Sequence, residues 1–172
     1  MLMPEPVESA FIYALAHRAP DLAHRDAGAQ DQAWVETLMA QDIQAILGPL
    51  PAEMAGPLVA MQVRGRLAGH AAQFPESRLQ IIEHRGEAIG YWRMAWAQGR
   101  LVDIVIDAGL RGQGHGGRLL AALAAAADAV NVALTLAVRL DNPAIRLYHR
   151  LGFQPSGSTG PLQDLRRAPL AP

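Results

Sequence analysis

Residues 111–120 read RGQGHGGRLL. Four glycines, Gly112, Gly114, Gly116 and Gly117, fall within six residues, bracketed by Arg111 and Arg118, and the stretch runs into an apolar helix. Backbone without Cβ atoms can approach a ligand closely. Successive N–H groups ahead of a helix N-terminus form a cradle for an anion. A bare strand-to-helix turn needs fewer glycines and no flanking arginines. The loop therefore points to a phosphate-bearing ligand: a dinucleotide, a nucleoside triphosphate or an acyl-CoA.

Composition removes several chemistries. All 15 basic residues are arginine. Without lysine there is no Schiff base and no Walker-type phosphate loop. Without cysteine there is no disulfide, no thiolate ligand and no cysteine acyl-enzyme. The six histidines show no metal-ligand spacing, so no metal is expected. A formal net charge of -1 argues against nucleic acid as a partner. The apolar run from Leu119 to Val138 is interrupted by Asp128 and Asn131 and is rich in alanine, so it reads as a buried helix, a turn and a buried strand rather than a membrane span. The first residues carry no basic region ahead of an apolar run, so no signal peptide is expected. A single soluble, cytoplasmic domain of 172 residues follows as the expectation.

Periodicity orders the chain. A short strand is expected near Phe11 to Leu15. The apolar pairs Trp34/Val35, Leu38/Met39 and Ile46/Leu47 recur at helical spacing across DQAWVETLMAQDIQAIL, and the GPLP turn at 48–51 ends that helix. A second helix is expected from Ala52 to about Gln73. Residues 78 to 107 read as three strands, turning at Arg85-Gly86 and Gln98-Gly99. After the glycine loop come a helix from about Gly116 to Val130 and a buried strand, VALTLAVRL. NPAIRLYHRLG reads as a short helix with Asn142 as N-cap, Pro143 at its first position and Gly152 past its end. The tail from 154 to 172 offers one or two weak edge strands. The order predicts an α/β fold with a central mixed sheet of six or seven strands and helices on both faces.

Gly112, Gly114 and Gly117 match the dinucleotide fingerprint G-x-G-x-x-G, and Asp141 lies near where a ribose-binding acid would sit. The context does not match. Five residues, Asp107 to Arg111, separate the loop from its strand, and too little chain follows for further strand–helix units.

The stretch VDIVIDAGLRGQGHGGRLL resembles motif A of the GNAT superfamily of acyl-CoA N-acyltransferases, whose core is [R/Q]-x-x-G-x-[G/A]. Arg111, Gly114 and Gly116 occupy its fixed positions. LDNPAIRLYHRLGF, residues 140–153, is similar to the motif that follows in that family, an asparagine and then a helix carrying Tyr-x-x-x-Gly-Phe. Ala108, Leu110 and His115 stand where the family often has a proline, an aromatic and an aliphatic residue. The resemblance covers residues 78–153 closely and leaves residues 1–75 as acceptor-side helices. It implies acetyl-CoA as co-substrate. The arm of the cofactor would lie in a gap between two splayed strands, on backbone groups of Ile104, Val105 and Ile106. The N–H groups of Gly112, Gln113, Gly114, His115, Gly116 and Gly117 would hold the pyrophosphate beside Arg111. Asn142 would contact the arm and Tyr148 would face the sulfur.

Acylation of an amine needs proximity, a polarised carbonyl, an acid for the thiolate and a base for the amine. Tyr148 is the expected acid. By helix pattern alone it reads rather as a half-buried aromatic beside Ile145 and Leu151, and the adjoining motif turns the reading to the acid. Alternation along the central strand sets Leu101, Asp103, Val105 and Asp107 on one face and the apolar Val102, Ile104 and Ile106 on the other. A mid-strand aspartate is unfavourable, so Asp103 has either a structural hydrogen bond or work as a base. Glu83 and His84 are weaker candidates for that base. Trp92 and Trp96, four apart, either line the acceptor cleft or pack in the core. Two functions stay open: an N-acetyltransferase for a small-molecule or peptide amine, and a non-catalytic module that senses acyl-CoA. A homodimer is compatible with either.

Overall fold

The computed structural model describes residues 5–49 and 51–170. Its elements are α1 (Pro6–Arg18), β1 (Leu22–Asp26), α2 (Gln32–Leu47), α3 (Ala52–Gln73), β2 (Arg78–His84), β3 (Glu87–Ala95), β4 (Arg100–Ile106), α4 (His115–Ala129), β5 (Leu134–Arg139), α5 (Ile145–Arg150), β6 (Gln154–Thr159) and β7 (Leu162–Arg167). One seven-stranded mixed sheet runs in the order β1-β2-β3-β4-β5-β7-β6. Among the described residues, no helix is long and apolar enough to cross a membrane.

Alternation along the strands builds a core on each face. On one face α1 and α4 pack Phe11, Leu15, Leu119 and Leu123 onto Ile82, Trp92 and Leu134. On the other, α2 and α3 pack Val35, Leu38, Met39 and Val63 onto Ile81, Tyr91 and Val105. Trp92 and Trp96 belong to the first core, with ring centroids 5.0 and 5.5 Å from Phe11. Core packing is thus their role.

Four expectations need correction. Phe11 to Leu15 is helix, not strand. Val7, Phe11 and Leu15 fall at i, i+4 and i+8, so all three are buried along one stripe of α1. The first strand is LAHRD at 22–26, whose two charged residues hide its pairing with β2. In the tail, β7 is an inner strand between β5 and β6, and only β6 is an edge. Finally, the alternation along β4 is interrupted. Arg93 pairs with Asp103 and Met94 with Leu101, which leaves Val102 as a bulge. The bulge turns Leu101 into the first core, together with Ile104 and Ile106, while Asp103 and Val105 face α2 and α3. Ile104 and Ile106 are half-buried rather than enclosed.

The same bulge marks where the sheet opens. β4 and β5 run parallel and pair only at Arg100↔Thr135 and Leu101↔Leu136. A bulged strand bends and twists more strongly than a regular one. Beyond Leu101 the two strands part, and β4's β5-facing backbone groups lose their ladder partners. Unpaired backbone groups at that depth need a hydrogen-bonding partner, so the gap is suited to a polar, extended ligand.

Candidate active site

β4 ends at Ile106. Asp107 accepts a hydrogen bond from the Gly109 N–H at 2.8 Å and starts a tight turn over 108–110. Arg111 Nε then donates to the Ile106 carbonyl at 2.8 Å, which ties the glycine loop back to the strand. Gly112 and Gly114 follow with φ of 77° and 85°, and Gly114 is the N-cap of α4. This left-handed region disfavours side chains. A Cβ built on either residue would meet no protein atom within 4 Å, so the space beside them is open to a ligand.

That space belongs to a groove of about 500 Å³. Ile104, Val105 and Ile106 of the parted strand form one wall, the loop and the start of α4 form its floor, and α5 closes it with Asn142 and Tyr148 near the strands. Of the residues expected to bind cofactor, Arg111, Gly112, Gly114, His115, Gly116 and Gly117 line the groove, whereas Gln113 lies on the loop away from it. Arg118 does not line it either, because its guanidinium is paired with Asp21. Arg150 takes a place on the groove instead. It sits in the last turn of α5 within the second motif, where a cation on the groove side is the signal that would have found it. His115 is buried, its ring 4.5 Å from that of His84, and burial pushes its pKa down.

A second cavity of about 490 Å³ opens on the α2/α3 face of the same gap. Its walls include Asp42 on α2, Arg66 and His70 on α3, Asp103 on β4 and Arg139 on β5. Asp42, Ile104, Asn142 and Tyr148 line both cavities. Asn142 Oδ1 accepts from the Ala144 N–H at 2.9 Å. The N-cap contact expected of Asn142 is therefore made, although the regular helix begins only at Ile145.

Tyr148 is 5% exposed and its ring meets Phe153 edge-on at 5.8 Å. Burial, with a smaller push from the Asp103 charge, raises its hydroxyl to about 12. The phenol therefore keeps its proton at neutral pH and can give it up only to a stronger base.

Asp103 is 8% exposed and both its oxygens are engaged. Oδ1 accepts from Arg66 Nη2, and Oδ2 accepts from the Tyr91 hydroxyl at 3.1 Å. Arg66 also donates to Asp42 at 3.1 Å, and Arg111 reaches the other Asp42 oxygen at 3.3 Å. A chain of charges thus links α2 and α3 to the glycine loop. Burial works against the Arg66 cation, but Asp103 outweighs it and keeps the guanidinium charged. His70 Nδ1 lies 4.0 Å from Asp103 Oδ2, fully buried and without a hydrogen-bond partner among the described residues. Burial pushes this imidazole below the ordinary histidine range, with Asp103 opposing. Sequence reasoning missed Arg66 and His70, because α3 shows no motif, and Tyr91, which reads as one more apolar position of β3. Glu83 and His84 lie away from this cluster: Glu83 accepts from Arg25 at 2.8 Å, and His84 contacts Asp21 at 3.0 Å.

A sheet parted between parallel strands, with the glycine loop beside the gap and a polar cavity against α2 and α3, is the arrangement that the sequence resemblance implies. Residues 75–155 match the family model of the acetyltransferase (GNAT) domain. Over those residues the chain is similar to the GNAT acetyltransferases. No curated protein matches it significantly in sequence. Its fold is similar to that of the PaiA N-acetyltransferase from Thermoplasma acidophilum, solved in complex with coenzyme A, at 11% identity and TM-score 0.62, covering 86% of this chain and 98% of that one. An acetyltransferase from Thermus thermophilus is 22% identical with TM-score 0.60, over 86% of this chain and 96% of that one. The spermidine N-acetyltransferase from Vibrio cholerae, solved with CoA and spermine, is 16% identical with TM-score 0.58, over 87% of this chain and 96% of that one.

Proposed function

We propose that this protein transfers an acetyl group from acetyl-CoA to a primary amine of a small molecule or peptide, by direct attack in a ternary complex. One observation carries the reading. Two cavities meet at the β4–β5 gap, one beside the glycine loop and one against α2 and α3, and Asp42, Ile104, Asn142 and Tyr148 line both. A donor bound in one and an acceptor in the other would have their reacting atoms side by side, which is the source of proximity catalysis.

The residues fit acetyl-CoA. Its pyrophosphate suits the open side of Gly112 and Gly114 at the start of α4, with Arg111 and Arg150 adding positive charge. Its amide-bearing arm suits the unpaired backbone of Ile104 to Ile106. When bound it supplies the thioester to be attacked. Free N–H groups on β4 polarise the carbonyl. Tyr148 gives its proton to the departing sulfur.

The acceptor cavity favours an amine of low charge. Asp42 and Asp103 are each bonded to arginine, so neither carboxylate is free to hold a polycation. The spermidine enzyme from Vibrio cholerae acts on a polyamine; this chain is read as preferring a monoamine or a peptide α-amine. Release of free thiol from acetyl-CoA, measured across monoamines, peptides, aminoglycosides and spermidine, tests the reading. Turnover with a monoamine or peptide supports it. Tight acetyl-CoA binding with no turnover on any amine would instead make the protein a sensor.

A further inference from the structure

We infer that His70 is the general base that deprotonates the acceptor amine, and that Asp103 positions it. This rests on the proposed acetyl transfer, and it moves the base from the strand to the α3 helix.

The geometry separates the two residues' roles. Asp103 has one oxygen on the Arg66 guanidinium and the other on the Tyr91 hydroxyl. With both oxygens already accepting from protein donors, Asp103 is poorly placed to take up a proton from substrate. His70 stands one helical turn beyond Arg66 on the same face of α3, so both reach Asp103. Its Nδ1 is the buried atom, 4.0 Å from Asp103 Oδ2. The rest of the ring, 17% exposed as a side chain, opens onto the cavity that Tyr148 also lines. The arrangement orders the imidazole. Its N–H faces the carboxylate at Nδ1, and its lone pair at Nε2 faces the place of the amine.

Three charged groups act on His70, and two neutral tyrosines stand near them. Asp103 on β4 favours its cation, while Arg66 on α3 and Arg93 on β3 disfavour it. Tyr91 on β3 and Tyr148 on α5 are neutral at working pH. Together with burial they leave the imidazole uncharged at neutral pH and ready to accept a proton. Asp103 then steadies the imidazolium that forms.

The protons balance. The ammonium form of the acceptor gives one proton to His70 Nε2, which passes it to solvent. The amine nitrogen then bonds the thioester carbon as the carbon–sulfur bond breaks. Tyr148 protonates the sulfur, and the second proton leaving nitrogen restores Tyr148.

Two measurements decide the assignment. The first is kcat/KM against pH for His70→Gln and His70→Ala. Both variants should lose about 10²-fold or more near neutrality, regain part of it at high pH where the amine is already neutral, and bind acetyl-CoA as the parent does. Exogenous imidazole should restore activity to the alanine variant. A variant profile parallel to the parent's, without rescue, would overturn the inference. The second is nitrogen NMR of the His70 ring in the parent protein, which needs no turnover. A neutral ring protonated at Nδ1 near pH 7 is expected, and a charged ring or one protonated at Nε2 would overturn it. Failure of the parent to acetylate any amine would count against the proposed function alone, and the ring's tautomer would still decide the role of His70. Should the variants prove unstable, Asp103→Asn provides a further check: removing the anion should lower the pKa of His70 and shift the acid limb of the profile to lower pH.

Discussion

Tyr148 concentrates the account into one atom. The residue lines both cavities, and burial holds its hydroxyl protonated up to about 12. Tyr148→Phe keeps the ring against Phe153 and removes the proton. Turnover should fall by about 10²-fold or more, the usual contribution of a general acid, while acetyl-CoA affinity measured by calorimetry stays near the parent's. An unchanged rate would mean that water protonates the sulfur and that Tyr148 only packs. Position 148 was legible in the sequence because a motif surrounds it. Residues such as Arg66 and His70 were not, because their meaning comes from Asp103, brought to them from 37 residues away in the case of Arg66. Asp103 itself was singled out as a polar residue in a mid-strand position. Its two candidate roles, structural acceptor and base, could be weighed only once its partners were known.

At the scale of elements, the glycine loop, the three-strand meander and the helices over 32–47 and 52–73 follow from periodicity and turn residues. The misread elements share a cause. The apolar run FIYAL suits either period over five residues, and the burial of Val7, Phe11 and Leu15 on α1 decides it. The sequence of β7, LQDLRR, looks like an edge strand because three of its six residues are charged. Its place beside β5 is explained by Arg167. This buried guanidinium makes a bidentate pair with Asp128 of α4 at 2.6 and 2.8 Å, and its Nε donates to the Leu151 carbonyl at 2.7 Å. One side chain of β7 therefore fastens α4 to the end of α5, the helix that carries Tyr148. Arg167→Leu leaves Asp128 without that partner. Breaking a fully buried pair costs about 3 kcal/mol or more; Asp128 keeps partial contact with solvent, so a smaller loss is expected, which urea denaturation would register. The variant should also lose kcat more than acetyl-CoA affinity, since it loosens α5 and leaves the loop intact. Parent-like stability would show that β7 is held by its ladder to β5 alone.

The whole molecule carries a pH dependence of its own. His24, His70 and His115 all have pKa values below the ordinary 6.5, each chiefly through burial. Such groups bind protons less readily folded than unfolded, so the unfolded state gains protons first as pH falls. Their contribution to stability is fully present above the ordinary histidine value and is lost as pH drops through the folded values. Thermal unfolding should give a level Tm from about pH 7 to 8 and a falling one between about pH 6.5 and 5. A Tm that held constant to pH 5 would mean that these rings are hydrated or paired in the folded state. The carboxylates paired with arginine, Asp31 and Asp128 among them, titrate below their usual range and add to the loss only at still lower pH.

The central claim is that the parted strands and the glycine loop form an acyl-CoA site. Calorimetric titration of acetyl-CoA and of a nicotinamide dinucleotide into the parent and into Gly114→Val tests it most directly. At φ 85° a valine is strained, and its side chain would occupy the open space beside the loop. The account predicts that acetyl-CoA binds the parent, that the variant stays folded but gives no heat with it, and that the dinucleotide binds neither. Tight binding of the dinucleotide with no response to acetyl-CoA would contradict it.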